Sequence, residues 1–305
     1  MTDRIMKRIF LSLIISMVAF SGAYSQEGDD RYGGGDGSQS TTAVSDKLSF
    51  ISDGPNINLT YMGVCFKMIL VEAGPFDMGF TPDQDMSFTH GESDEGKKPH
   101  RVNITKNYFI GETEVTQDLW NAVMRIDPSQ NPSLQKGDRY PVSNISWNMA
   151  IKFVNRLNDI CSVQSVPYRF NLPTEAQWEY AARGGHKISH TVFSGSNTLV
   201  KVGWYSNNSV NRMKEVKLLA PNELGIYDMT GNVWELCRDW KAPYSTKAVD
   251  DPCGPEHGDK NLNKVRRGGS YEENDPNMFR VSYRRRIPID EVDFKNGIRL
   301  IMTTL

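Results

Sequence analysis

Two carboxylates and a glycine turn in segment 228–235 could bind a hard cation. Asp228 and Glu235 offer carboxylate oxygens, and an irregular turn at Gly231 can direct the backbone carbonyls of residues 231 and 233 towards one point. This set of donors suits calcium, which takes about six to eight oxygen ligands in flexible geometry. The alternative is that Asp228 caps a turn and Glu235 pairs with an arginine. We expect calcium, with the ligands Asp228, Gly231, Val233 and Glu235.

Other patterns that could carry out chemistry are weaker. His186 and His190 are four residues apart, but they follow Gly184-Gly185, which ends a predicted helix, so no helix orients them towards one metal. The sequence has no Gly-x-Ser-x-Gly elbow, no phosphate-binding glycine loop and no zinc-binding cysteine pattern. These observations disfavour the hydrolase, nucleotide-binding and zinc-site classes.

Three helices are predicted upstream of this segment. Thr116 can cap the first, and Ser146 can cap a second whose apolar residues recur at offsets of three and four. Thr174 and Gln177 form a capping box at the start of the third. Residues 66–71 and 76–80 flank a turn and predict a β-hairpin. Beyond residue 185 turn signals dominate, which indicates a second half made mostly of loops.

Length and composition indicate a globular protein with a flexible start. The chain has 305 residues and a formal net charge of -2, which gives no reason to expect nucleic acid or an anionic membrane as a partner. Residues 1–25 have the basic start, short apolar run and small-x-small site of a signal peptide cleaved before Gln26, so we expect export to the periplasm or medium and no membrane span in the mature chain. Residues 26–63 are rich in Gly, Ser and Asp and predict a flexible linker, although residues 50–51 and 57–59 could add a strand. The folded domain is expected over residues 64–305.

Export makes the four cysteines candidates for disulfides. Cys237 and Cys253 are the nearest pair along the chain, and we favour a bridge between them. Cys161 lies on an apolar helix face and could instead be a buried free thiol, and Cys65 is unassigned.

An ordered set of motifs connects this chain to a known family. The set runs from Met78-Gly79 through the stretches 112–116, 141–147, 168–185 and 222–229 to Gly231-Asn232-Val233-Trp234-Glu235, Arg266-Arg267-Gly268-Gly269-Ser270-Tyr271 and Asn296-Gly297-Ile298-Arg299-Leu300. In this order the motifs resemble the sulfatase-modifying-factor domain of the formylglycine-generating enzymes. The resemblance implies an α+β fold, a variant of the C-type-lectin-like fold with small mixed sheets, few helices and much irregular loop. It also implies a calcium site on segment 228–235, and a second one near residues 203–211, where no acidic ligand is evident.

The resemblance also identifies what this chain lacks. Active members carry two cysteines after the Arg-Gly-Gly-Ser motif, which bind copper and oxidise a substrate cysteine, but here those positions hold Glu273 and Met278. Copper(I) prefers soft thiolates, and one thioether with one carboxylate cannot replace a thiolate pair. Copper binding and formylglycine formation are therefore not expected. The cleft that remains is expected to involve Trp234, Ser270, Tyr271 and Arg280.

Two functional hypotheses stay open. The first is an exported, non-oxidase module that binds a glycan, a peptide or another envelope protein. The second is an enzyme that keeps the family cleft but uses altered chemistry, with Glu273 as acid or base. We favour the first, and therefore no enzymatic activity, although the sequence does not identify the ligand.

Overall fold

The computed structural model describes residues 45–84, 99–126 and 134–305. The predicted signal peptide and residues 26–44 of the predicted linker lie outside the described residues. Strands β1 to β15 are Ser49–Asp53, Asn56–Tyr61, Val64–Val71, Gly74–Met78, His100–Ile104, Tyr108–Gly111, Tyr168–Asn171, Gly203–Trp204, Thr230–Gly231, Trp234–Trp240, Val249–Asp250, Asn263–Arg267, Arg285–Pro288, Asn296–Gly297 and Ile301–Thr304. Helices α1 to α5 are Gln117–Met124, Trp147–Val163, Glu175–Ala182, Leu199–Val202 and Ser206–Ser209.

The strands form four sheets of mixed direction. The largest has the order β1-β2-β3-β6-β15-β7, and the second has the order β13-β12-β10-β14. Two smaller sheets are β11-β5-β4 and β8-β9. Most pairs are antiparallel, but β14 runs parallel to β10, β11 runs parallel to β5 and β9 runs parallel to β8. The expected α+β class with small mixed sheets and few helices is confirmed.

The six-stranded sheet separates two apolar cores because side chains alternate between the two faces of a strand. On β15, Met302 packs with the core that holds Trp120 of α1 and Phe153 of α2. Its neighbour Ile301 packs with the other core, which holds Trp178 of α3. The helices on the two faces therefore cover a sheet that is buried on both sides, and α3 lies next to the second sheet.

The three predicted helix starts are present, with one different cap. The Ser146 hydroxyl accepts from Met149 N, and Thr174 forms the expected capping box with Gln177. Helix α1 begins after Thr116, but the Thr116 hydroxyl donates to the carboxylate of Asp118, and that carboxylate accepts from the N–H of the next residue. The carboxylate of Asp118, in the first turn of the helix, thus takes the capping role that was predicted for Thr116.

The predicted boundary between linker and domain needs correction. Strands β1 and β2 both lie before residue 64, and β2 pairs along its whole length with β3. Ile57, Leu59 and Tyr61 alternate along β2 and are buried in the first core. This burial offsets the entropy of ordering the segment, so the sheet begins at Ser49 although the preceding composition is that of a linker.

The predicted Cys237–Cys253 bridge is wrong. All four cysteines lie in the described residues and are free thiols. Cys237 is buried in the centre of β10, whereas Cys253 is exposed in a loop, so the two thiols have different environments. Cys161 is a buried free thiol, which is the alternative that its place on an apolar helix face suggested. No helix within residues 45–84, 99–126 and 134–305 is long and apolar enough to cross a membrane.

Candidate functional site

Strand β10 brings Glu235 into the protein interior, where an arginine meets it. The Glu235 carboxylate is 1% exposed. Its Oε1 accepts from Arg299 at 2.6 Å, and its Oε2 accepts from the Trp178 indole N–H at 2.6 Å and from Arg299 Nε at 2.9 Å. A bidentate arginine fork and an indole together use the acceptor capacity of the carboxylate. The arginine pairing that the sequence analysis set against calcium is therefore present.

Asp228 occupies a tight turn just before β9. Its backbone is left-handed, with φ of 59°, and its Oδ2 accepts from Lys217 N at 2.8 Å. Burial raises the pKa of Asp228 to about 6, against the lowering effects of this hydrogen bond and of Arg299. The carboxylate oxygens of Asp228 can still coordinate a cation.

The structure adds Glu114, a third carboxylate that sequence reasoning missed. Glu114 is 2% exposed, and neither carboxylate oxygen has a hydrogen-bond partner within the part of the chain that the structure describes. Burial, and then the negative charge of Asp228, raise the pKa of Glu114 well above its usual value, while Arg299 opposes the shift. In the sequence it precedes a helix among polar residues, which is typical of a surface position, so only the fold reveals it.

The residues predicted to bind calcium fit that role in part. Gly231 has φ of 79°, and an added Cβ would lie 2.1 Å from the Trp204 carbonyl oxygen, so the turn needs glycine there. Glu235 does not fit, because Arg299 and Trp178 already occupy its oxygens. Among the described residues no three acidic, histidine or cysteine side chains group as metal ligands. Calcium therefore stays a hypothesis that rests on Asp228 and on the carbonyls of residues 231 and 233.

A cavity of about 740 Å³ leads to this carboxylate cluster. Glu114 lines the cavity together with Glu112 and Asp118, and the start of α1 forms part of its wall. The basic residues of the wall are already paired: Lys67 with Asp53, Lys217 with Glu112 and Arg139 with Glu215. Glu114 is therefore the wall carboxyl group without an ion-pair or hydrogen-bond partner among the described residues, and its raised pKa favours the neutral, protonated form.

Glu273 lies in a small charged cluster at the surface. The indole N–H of Trp234 donates to Glu273 Oε1 at 3.1 Å. Arg285 lies 3.6 Å and Lys295 lies 3.8 Å from the same oxygen. The Glu273 side chain is 13% exposed and that of Arg285 is 42% exposed, so a ligand can reach this group. The sequence analysis did not identify Lys295, which lies in the turn before β14, whereas Arg285 begins strand β13.

Met278, at the second cysteine position, lies in a different environment. It packs against the small apolar cluster that includes Phe279 and Val192. Its N–H donates to Asp275 O within the 3₁₀ turn Pro276–Phe279. The two positions therefore present a hydrogen-bonded carboxylate and a packed thioether, which are hard and soft donors respectively and do not form a copper site.

The other residues predicted for the cleft are interior. Trp234 and Ser270 are fully buried, and Tyr271 is 3% exposed and packs on Val233. The Ser270 hydroxyl has no hydrogen-bond partner among the described residues. Arg280 is 5% exposed and stacks over the ring of Phe80 at 5.0 Å. Two of them contact Glu273: the Trp234 indole N–H donates to its carboxylate, and the Ser270 carbonyl accepts from its backbone N–H.

Comparison with known proteins assigns the family. A model of the sulfatase-modifying factor enzyme 1-like domain matches residues 62–304. The chain is 28% identical to the chaperone protein LppX of Paenibacillus barcinonensis over 77% of this chain and 88% of that protein. It is 34% identical to the formylglycine-generating enzyme of Streptomyces coelicolor, but the match covers 48% of this chain and 47% of the enzyme. The chain thus spans about half the length of that enzyme.

Solved structures agree on the fold. Variable protein 1 of Treponema denticola superimposes with a TM-score of 0.69 and 31% identity, over 82% of this chain and 99% of that protein. PvdO from Pseudomonas aeruginosa superimposes with a TM-score of 0.65 over 79% of this chain and 95% of that protein; its 23% identity supports the fold alone. These similarities confirm the predicted variant of the C-type-lectin-like fold. The chain belongs to the family of sulfatase-modifying factor enzyme 1-like domains.

Proposed function

We propose that this protein is an exported binding module that keeps the family scaffold without its copper oxidase chemistry. The observation that carries the proposal is the pair of side chains at the two cysteine positions. Glu273 is held by Trp234 and flanked by two cations, and Met278 packs into an apolar cluster. Neither offers the thiolate that copper(I) binding and thiol exchange need.

The surface around Glu273 is suited to recognition of a polar ligand. Glu273, Arg285 and Lys295 present one acidic and two basic groups within a few ångströms. Such a set can bind a glycan, a peptide or another envelope protein through charge-assisted hydrogen bonds. Similarity to a protein named as a chaperone and to a variable protein supports binding rather than catalysis.

The oxidase assay is the most direct test. Purified protein is incubated with copper(I), oxygen and a sulfatase-derived cysteine peptide, and mass spectrometry follows conversion of the cysteine to the aldehyde. We expect no aldehyde. The double variant Glu273→Cys with Met278→Cys should gain copper binding, because it restores the pair of thiolates at the two cysteine positions of the active family members. Aldehyde formation by the unchanged chain would refute the proposal.

A second assay examines recognition and the alternative of altered chemistry. A glycan array and a panel of purified envelope proteins are screened with the unchanged protein and with the variants Arg285→Ala and Arg286→Ala. Arg285 contacts Glu273, whereas Arg286 is its exposed neighbour on β13, so only the first variant should lose binding. A ligand that is chemically converted, with loss of turnover in Glu273→Gln, would favour the enzyme hypothesis. Export itself predicts an N-terminus near Gln26 in the mature protein.

A further inference from the structure

A second cavity, of about 220 Å³, lies between several elements and is lined mostly by polar and charged residues. The turn between β5 and β6, the paired strands β7 and β15, strand β10 and the start of α3 all contribute to its wall. No residue of the Glu273 group lines it, so it is separate from the proposed recognition surface. Its wall contains three basic side chains from three different elements: Lys106, Arg169 and Arg238.

The three cations of this wall have no carboxylate partner among the residues that the structure describes, unlike several other basic residues of the protein. Within the described ranges, Lys67, Arg101, Arg139, Lys217, Arg285 and Lys295 all form ion pairs with carboxylates. The side chains of Lys106, Arg169 and Arg238 form neither an ion pair nor a hydrogen bond with any described residue. Three basic groups that converge on one cavity without acidic partners repel one another, and an anion would relieve that repulsion.

The cavity has an excess of two positive charges. Asp251 is the acidic residue of its wall, and it is already engaged: it accepts from the backbone N–H of Thr105 at 2.9 Å and from the hydroxyl of the same threonine. Three cations against one carboxylate leave a net charge of +2. A group with two negative charges would balance it.

The uncharged residues of the wall are arranged as donors. The side-chain oxygen of Asn107 accepts from Ala73 N, and that of Asn171 accepts from Leu172 N. An amide whose oxygen is used in this way has its NH₂ group left to donate. Thr174 and Gln177 place the N-terminal turn of α3 at the same wall.

The pairing of β7 with β15 fixes one side of this arrangement. Arg169 lies opposite Thr303, and Asn171 lies opposite Ile301, so four wall residues belong to one face of the sheet edge. Arg238 comes from β10, whose backbone N–H at this residue donates to the carbonyl of Pro173 just before α3. The two arginines therefore lie on different strands, and the backbone of each strand is fixed by its own hydrogen bonds. Such a backbone is a rigid frame for an anion.

We propose that this cavity binds a doubly charged oxyanion, a phosphate or sulfate group. Arginine guanidinium groups fork onto such oxygens in pairs, and the lysine adds a third charge. The volume exceeds the roughly 30 Å³ that one water takes in the liquid several times over, so the group fits with part of the molecule that carries it. The site extends the protein's binding capacity beyond the surface at Glu273 and does not depend on it.

Isothermal titration of the purified protein at low salt tests the proposal. The probes are inorganic phosphate, inorganic sulfate, glucose 6-phosphate and, as a singly charged control, acetate. We expect phosphate and sulfate to bind at one site and acetate to bind more weakly. Binding of glucose 6-phosphate as well would identify a phosphoryl group carried on a larger ligand, and its exclusion would identify the free ion; both outcomes support an oxyanion site.

Charge-matched variants separate this site from general attraction. Arg169→Gln with Arg238→Gln removes two wall cations and should weaken phosphate binding by about tenfold or more, the scale of lost charge-assisted hydrogen bonds. Arg212→Gln with Arg286→Gln removes two exposed arginines outside the cavity and should leave binding unchanged. Thermal melting confirms that both proteins fold. Absence of phosphate and sulfate binding, equal weakening in both double variants, or acetate binding as tight as phosphate would each overturn the proposal.

Discussion

Two buried ionic networks on either side of Trp178 differ in their charge balance. The first is formed by Glu175, Glu179, Arg183, Arg267 and Arg284, and each of its members has an oppositely charged partner. The second is formed by Glu114, Asp228, Glu235 and Arg299, and Arg299 pairs only with Glu235. The Trp178 indole donates to Glu235 of the second network, and the Arg267 guanidinium lies over its ring. The first network has three arginines for two carboxylates, whereas the second has three carboxylates for one arginine.

The balance decides the protonation of the carboxylates. Burial alone would raise the pKa of Glu175, but the charges of Arg284 and Arg267 lower it below its usual value. In the second network the pKa values of Glu114 and Asp228 are raised, because burial is not compensated by enough positive charge. A buried ion pair is costly to break from one side, whereas a buried carboxylate without a partner is costly to keep ionised. The first network is therefore structural, and the second is where a cation would be stabilised.

The same substitution in the two networks should have opposite effects. Glu175→Gln leaves Arg284 without its carboxylate, and the free energy of unfolding should fall by about 3 kcal/mol. Glu114→Gln removes a buried group that cannot ionise cheaply, and at pH 8 it should raise the free energy of unfolding by about 1 kcal/mol. Urea denaturation at pH 8 measures both. If both variants lose stability, the Glu114 carboxyl group makes a stabilising interaction in the folded protein, contrary to this expectation.

Asp239, which borders the first network, makes the stability of the protein depend on pH. Asp239 accepts from Glu175 N at 2.8 Å, and burial, followed by the charge of Glu175, raises its pKa to about 7. A folded-state pKa above the unfolded value favours the protonated native protein. The stability attached to Asp239 is thus fully present near pH 4, falls as the pH rises and is lost above pH 7.

Asp239→Asn should remove this pH dependence. The difference in free energy of unfolding between variant and unchanged protein should grow in favour of the variant, by up to about 1.4 kcal/mol per pH unit between pH 4 and 7. Asp77→Asn, at a side chain that is 58% exposed, is the control and should show no such trend. A difference that stays constant with pH would show that Asp239 is ionised throughout, and that the excess positive charge of the first network stabilises its carboxylate.

Sequence patterns predicted local structure well where one element decides the outcome. The N-cap at Ser146, the capping box at Thr174, the family motifs and the pairing of Glu235 with an arginine as an alternative all depend on residue types and short spacings. The possible strand at residues 50–51 and 57–59 is present, but the expected start of the domain at residue 64 was too late, because the burial of β2 depends on β3 and not on the composition of the segment before it.

Sites formed by distant residues could not be predicted in this way. Glu114 meets Asp228 only after strands and loops have folded together, and Glu273 is reached by Arg285 from β13 and by Lys295 from the turn before β14. The three cations of the smaller cavity lie on different elements and form no sequence motif. Charge balance is a property of the packed interior, and it becomes visible only when the partners of each group are known.

Calcium removal is the mildest way to probe the acidic network. An ion bound through Asp228 and the carbonyls of residues 231 and 233 would bind the folded state alone, so saturating calcium would stabilise it by about 2 kcal/mol. For a domain of this size a chelator should then lower the melting temperature by about 5 °C, and added calcium should restore it. Asp228→Asn should remove the response, whereas Asp250→Asn, at an exposed carboxylate of β11, should keep it. Identical melting curves with chelator and with calcium would reject the ion, and the excess carboxylates of the second network would then be accommodated by protonation alone, as the raised pKa values of Glu114 and Asp228 allow.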